Sequence, residues 1–178
     1  MMLRMFFSLW LLLLLPLLVQ ADNVSEAKAP VDRLNHALLD VMRGGPQLGY
    51  HGRYKKLDPI VRETFEFEAV SLIALGAHWK KLDDTQKQEF KVKLTDLSVA
   101  TYAAQFKTFA GEDFVFDSSQ DLKNGRLLLR YNLVAPKEKP IRFEYLVGQF
   151  NGSWRIINIV VDGISDLALK KAQYTSVM

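Results

Sequence analysis

Three histidines, His36, His51 and His78, are the only imidazoles in the chain, and they stand 15 and 27 residues apart, so none lies at ligand spacing from another. There is no cysteine. That removes thiolate nucleophiles, disulfide staples, and thiolate zinc and iron–sulfur sites. Asp83-Asp84 is adjacent to a helical stretch and is accounted for as helix capping rather than as an acid and base pair. Gly163-Ile164-Ser165 lacks the second glycine of a nucleophile elbow. No glycine-rich loop is present to cradle a phosphate. Asn23-Val24-Ser25 and Asn151-Gly152-Ser153 match the glycosylation pattern, but the second is already explained by a turn. Catalysis therefore has no visible candidate, and the residues imply no metal or cofactor.

The remaining polar clusters are basic: Arg53 with Lys55 and Lys56, Lys80 with Lys81, and Lys170 with Lys171. Such runs are ordinarily solvated faces. The first is interleaved with Tyr50, His51 and Tyr54, a mixture that would also suit lipid phosphates or an acidic partner. Across all 178 residues, 23 Lys and Arg face 20 Asp and Glu, a net charge of +3. So small an excess argues against a nucleic-acid module, which gathers many more cations to neutralise phosphates.

The elements carrying these residues divide into helices first and strands afterwards. Leu34, Leu38, Val41 and Met42 follow helical spacing, and Gly44-Gly45-Pro46 should end that helix. Asp58-Pro59 reads as an N-cap and first helical position opening a short helix through Ile60 and Val61. Phe67 to Gly76 is apolar on all sides and should be buried. The next helix begins at a capping box, either Asp83 with Gln86 or Thr85 with Gln88. Its apolar stripe is Phe90, Leu94, Leu97, Tyr102, Phe106 and Phe109, and Gly111 should close it.

After Gly111 the period changes to two. Phe114 and Phe116 open a first strand, Asn124-Gly125 turns the chain, Arg126 to Ala135 is a second strand and Ile141 to Phe150 a third. Asn151-Gly152 is a second hairpin signal before a fourth strand, Trp154 to Val161, and Ser165 to Met178 is a closing helix. The expected class is α+β: N-terminal helices on a four-stranded antiparallel meander with a C-terminal helix. One strand face presents Leu127, Leu129, Tyr131 and Leu133, then Ile141, Phe143, Tyr145 and Val147, while Leu128, Val134, Leu146 and part of Ile157, Ile159 and Val161 are assigned to the other. So much apolar surface on a small twisted sheet fits either a close-packed core or a gap between the layers.

At the N-terminus, Arg4 precedes an apolar stretch from Phe6 to Val19, broken only by Ser8 and Pro16, and Val19-Gln20-Ala21 offers a cleavage site. These 14 residues fall short of the roughly 20 that span a bilayer. Residues 1–21 are therefore read as a signal peptide, with an uncleaved anchor as the alternative, and 22–178 as one mature domain in the periplasm of a bacterium.

Several short motifs, in order, resemble one family. Phe65-Glu66-Phe67, Leu75-Gly76 with Trp79, Gln86 and Phe90, Thr101-Tyr102-Ala103, Trp154-Arg155-Ile156 and Asp162-Gly163-Ile164-Ser165 are similar to the MlaC-like periplasmic lipid-shuttle proteins, also called toluene-tolerance auxiliary proteins. The tail from Ile164 to Lys171 looks more like the hopanoid-associated HpnM branch. Glu66 and Asn158 stand where the family often has Asp, and Tyr174 where it often has Phe.

The resemblance implies an NTF2-like cradle whose gap holds acyl chains of a phospholipid, or a hopanoid. It implies a soluble carrier with no catalytic group and no cofactor, and as partners an inner-membrane MCE/ABC transporter or RND-type exporter and an outer-membrane lipid-exchange complex. Carried over by position, the implied lining is Leu72 and Leu75 on the buried helix, Leu94, Leu97, Tyr102 and Phe106 on the long one, and Leu129, Tyr131, Phe143, Tyr145 and Trp154 on the strands. An enzyme of the same fold acting on an apolar small molecule, and an interaction domain with a filled core, are the competing readings.

Overall fold

The computed structural model describes residues 15–177, and side chains within 23–176. Met1 to Arg4 and most of the apolar run of the expected signal peptide lie outside the described residues. Helix α1 spans Leu15–Thr64, α2 Phe67–Leu75 and α3 Asp84–Gln105, with a 3-10 turn at Gly76–Lys81 between α2 and α3. Strands β1 (Asp113–Leu122), β2 (Arg126–Val134), β3 (Ile141–Phe150), β4 (Ser153–Val161) and β5 (Ile164–Ser165) form one antiparallel sheet in sequence order, and α4 (Asp166–Val177) follows. The architecture is α+β, as expected, with the two-residue β5 added to the meander. No helix among the described residues is long and apolar enough to cross a membrane.

The first helix is broken at Gly44-Gly45-Pro46, as expected, with Gly45 (φ 51°) and then Gly49 (φ 60°) in the left-handed region, and helical turns resume beyond them. Pro46 helps the break, since the residue before a proline is driven out of the helical region. Asp58-Pro59 does not open a helix but lies inside α1. Leu57 and Val61, four residues apart and both fully buried, hold the helix in place across the proline. Asp58 Oδ1 accepts instead from Arg62 Nε at 2.8 Å, and Arg62 also pairs with Asp96, tying α1 to α3.

Helix α3 opens on the first of the two expected capping boxes. Gln86 N donates to Asp83 Oδ1 at 2.8 Å and Asp83 N to Gln86 Oε1 at 3.0 Å. Asp83→Ala removes that acceptor and should lower stability by about 1 kcal/mol, read as a shift in the urea midpoint at constant slope. The other end comes earlier than Gly111. The chain leaves the helix at Phe106, where Arg53 Nε, buried, donates to the terminal carbonyl of Ala103 at 2.7 Å. Phe109 lies beyond the helix, under the Arg43 guanidinium. Gly111 (φ 94°) serves a close approach, since a Cβ there would come within 3.1 Å of Pro136.

Both Asn-Gly hairpins form, with positive φ at each residue of Asn124-Gly125 and Asn151-Gly152. A third, Asp162-Gly163, turns β4 into β5. The inner face of the sheet carries Leu129 and Tyr131 opposite Tyr145 and Phe143, and α1 packs across it, with α3 in turn packed on α1. The outer face is charged: Arg130 Nε donates to Glu144 Oε1 at 2.9 Å and Arg130 Nη2 to Gln120 Oε1 at 2.7 Å.

The register of β4 corrects the face assignment made from alternation alone. Val147 pairs with Ile156 while Leu146 pairs with Asn158, so Ile157 is an extra, bulged residue. The inserted residue reverses the parity of everything after it. Ile159 and Val161 therefore stand opposite Tyr145 and Phe143, on the inner face.

Candidate functional site

Between the C-terminal half of α3, the ends of β3 and β4, and α4 lies a pocket of about 440 Å³. That is within the roughly 300–1,000 Å³ usual for small-molecule sites. Its floor is the inner face of the sheet, Phe143, Ile159 and Val161, supplied by the pairing described above. One wall is α3, where Ser98, Thr101, Tyr102 and Gln105 recur at three- and four-residue spacing, with Phe106 at the helix end. The opposite wall is the β5 and α4 segment, with Ile164, Asp166, Leu169 and Lys170.

The two aliphatic hydroxyls on the α3 wall donate within their own helix. Ser98 Oγ donates to Leu94 O at 2.9 Å and Thr101 Oγ1 to Leu97 O at 2.8 Å, so each is satisfied by its own helix. Burial pushes the Tyr102 phenol well above its ordinary range, and the Asp166 carboxylate adds to the effect by opposing a second negative charge. A neutral phenol at the working pH leaves the interior apolar.

The charged residues of the lining, Asp162, Asp166 and Lys170, all stand on one side, the β4–β5 turn and α4, where the pocket has its exposed mouth. Asp162, from the β4–β5 turn, is exposed, and its Oδ1 accepts from Arg142 N at 2.9 Å. Asp166 and Lys170 pair across one turn of α4. The segment is held by Asn158, whose Nδ2 donates to Ser165 Oγ at 3.1 Å and whose Oδ1 accepts from Leu167 N at 3.2 Å. Ser165 Oγ in turn accepts from Ala168 N at 3.1 Å, an N-cap for α4. Around this mouth, large apolar side chains stay in water: Ile141, Leu169 and above all Ile164, which is 62% exposed.

Of the residues expected to form a lining, the structure brings Tyr102, Phe106 and Phe143 to this pocket. Leu94, Leu129, Tyr131 and Tyr145 are buried in the core beneath it, and Leu75 is buried at the end of α2. Tyr131 donates to Asp32 Oδ1 and Tyr145 to Asn35 Oδ1, both at 2.6 Å, fastening the sheet to α1. Trp154 borders two shallower, more polar clefts, not the main pocket.

Leu72 and Leu97 face outward, 50% and 49% exposed. At 3.6 residues per turn Leu97 lies about 140° around the helix from Tyr102, so the two cannot share a face. Ile159, Val161, Ile164, Leu169 and Lys170 join the lining without having been expected there. The basic clusters also divide, since Arg53 and Lys170 are buried while Lys55, Lys56 and Lys171 are solvated. Among the described residues no group of three or more His, Asp or Glu is placed to hold a metal ion.

The MlaC protein family profile matches residues 32–178. In three dimensions the chain is similar to a phospholipid-binding protein from Ralstonia solanacearum, solved in complex with a phospholipid. The TM-score is 0.75 at 19% identity, over 85% of this chain and 87% of that one. No curated protein sequence matches the chain.

Proposed function

The chain belongs to the MlaC family, and from that premise we propose that it is a lipid carrier that shelters the acyl chains of a phospholipid, or a hopanoid, in the pocket between α3, the sheet and α4. The observation that carries this reading is the pocket itself: about 440 Å³, mostly apolar in its lining, charged only along the β4–β5 turn and α4, and rimmed by exposed isoleucine and leucine. Each methylene withdrawn from water is worth about 0.8 kcal/mol, so chains are retained without a covalent bond. The phospholipid held by the similar Ralstonia protein supports the same choice of cargo.

The carrier works in the periplasm in this proposal, exported by the Arg4-led apolar segment and cut after Ala21. Family membership supports exchange with an inner-membrane MCE/ABC transporter or RND-type exporter and with an outer-membrane lipid-exchange complex.

Organic extraction and mass spectrometry of the purified mature protein test the proposal. About one lipid per protein is the expected yield, with an intact N-terminus at Asp22. A protein that releases no lipid and takes up no fluorescent acyl probe would overturn it, and an N-terminus at Met1 in a membrane fraction would overturn the soluble shuttle.

A further inference from the structure

The charges at the pocket mouth are few and unequal. Asp162 and Asp166 stand against one cation, Lys170. Lys170 is only 7% exposed, an unusual position for a lysine, and its ammonium meets both oxygens of Asp166. An ammonium has three N–H donors, so at least one remains for another acceptor on the pocket wall. Asp162 receives one backbone N–H through Oδ1, which leaves its second oxygen for a donor arriving from solvent.

Arg142 and Lys171 do not change this balance. Arg142 follows the outward alternation of β3 and pairs with Glu144 on the outer face. The stem of Lys171 lies against Gly76, away from the mouth. The outer-face carboxylate Glu144 is likewise taken up by Arg130.

Resting on the lipid-carrier reading, we propose that this mouth selects the headgroup: it takes a zwitterionic phospholipid, with the phosphate at Lys170 and the headgroup ammonium at Asp162, in preference to a net-anionic one. A zwitterion presents one charge of each sign to a site that offers both. An anionic headgroup has the same phosphate for Lys170 but nothing for Asp162, and it adds negative charge to a mouth already carrying an excess of it. Since the tails bury identically in either case, the discrimination resides in these three side chains.

The test offers the purified protein vesicles of equimolar phosphatidylethanolamine and phosphatidylglycerol with identical acyl chains, and measures the lipids recovered with the protein. Phosphatidylethanolamine should be enriched about fivefold, which is about 1 kcal/mol of discrimination. Asp162→Asn tolerates the left-handed turn and keeps the oxygen that accepts from Arg142, so it should bring the ratio close to one without loss of fold. Lys170→Met keeps the stem without the charge and should lower uptake of both lipids several-fold. Equal uptake of the two lipids by the unaltered protein, or an unchanged ratio in Asp162→Asn, would overturn headgroup selection while leaving the carrier reading intact. Uptake of neither lipid would overturn the phospholipid-carrier reading on which the selection rests.

Discussion

Val161→Trp is expected to give a protein that folds, melts in one step and retains less than about a tenth of its lipid. Val161 lies on the floor of the pocket, opposite Phe143 in the sheet and half-buried. In a close-packed interior an added ring of this size forces neighbours off their rotamers and costs about 1–3 kcal/mol. Here the indole has open space above it and can enter that space instead. What it displaces is lipid: excluding two or three methylenes, at about 0.8 kcal/mol each, exceeds the 1.4 kcal/mol that corresponds to a tenfold loss of affinity. Thermal melting and extraction of bound lipid on the same sample check both halves. A sharp fall in Tm would mean that the site is filled, and undiminished lipid would place the cargo elsewhere.

The second large effect is alkaline unfolding. Burial holds the phenols of Tyr102, Tyr131 and Tyr145 well above their ordinary pKa of 10.0. The carboxylate of Asp166 adds to the first and a hydrogen bond to Asp32 to the second, while the other two phenols add to the third. In the unfolded chain these groups ionise near pH 10, so above that pH the unfolded state binds fewer protons than the folded one. The stability they contribute is thus fully present below pH 10 and is lost as the pH rises beyond it. Each buried phenol removes up to about 1.4 kcal/mol per pH unit, and three together up to about 4. Tyrosinate absorbance should show these three ionising only with the loss of structure, among six tyrosines in the chain. Titration of all six near pH 10 with the fold intact would contradict their burial.

Much of the architecture was legible because local chemistry decides it. Asn124-Gly125 and Asn151-Gly152 demand left-handed turns, and the alternation of Phe143, Tyr145 and Val147 has a single buried face. The Asp83 and Gln86 box needs only its own backbone. What was not legible depended on distant partners. Pro59 stays inside a helix because Leu57 and Val61 are buried on either side of it, and α3 ends early where Arg53, from another helix, meets its last carbonyls.

The pocket was read less completely for the same reason. The bulge at Ile157 has no signature in β4 itself, yet it decides that Ile159 and Val161 point inward. Asp162-Gly163 was a hairpin signal of the same kind as the two Asn-Gly pairs, but Ser165 was absorbed into the expected closing helix and β5 with it. Leu97 was carried along by an apolar stripe whose buried face is in fact Leu94, Thr95, Ser98 and Val99.

The two left-handed glycines of α1 govern more than its shape. Leu34 and Val61 contribute to one core, although an unbroken helix, rising 1.5 Å per residue, would hold them about 40 Å apart. A straight α1 could bury its second half only in the core of a second molecule, and that molecule could return the same segment. Such an exchange preserves every helical turn and every apolar contact while changing only which chain supplies them. Gly45 and Gly49 thereby decide that the segment closes on its own chain.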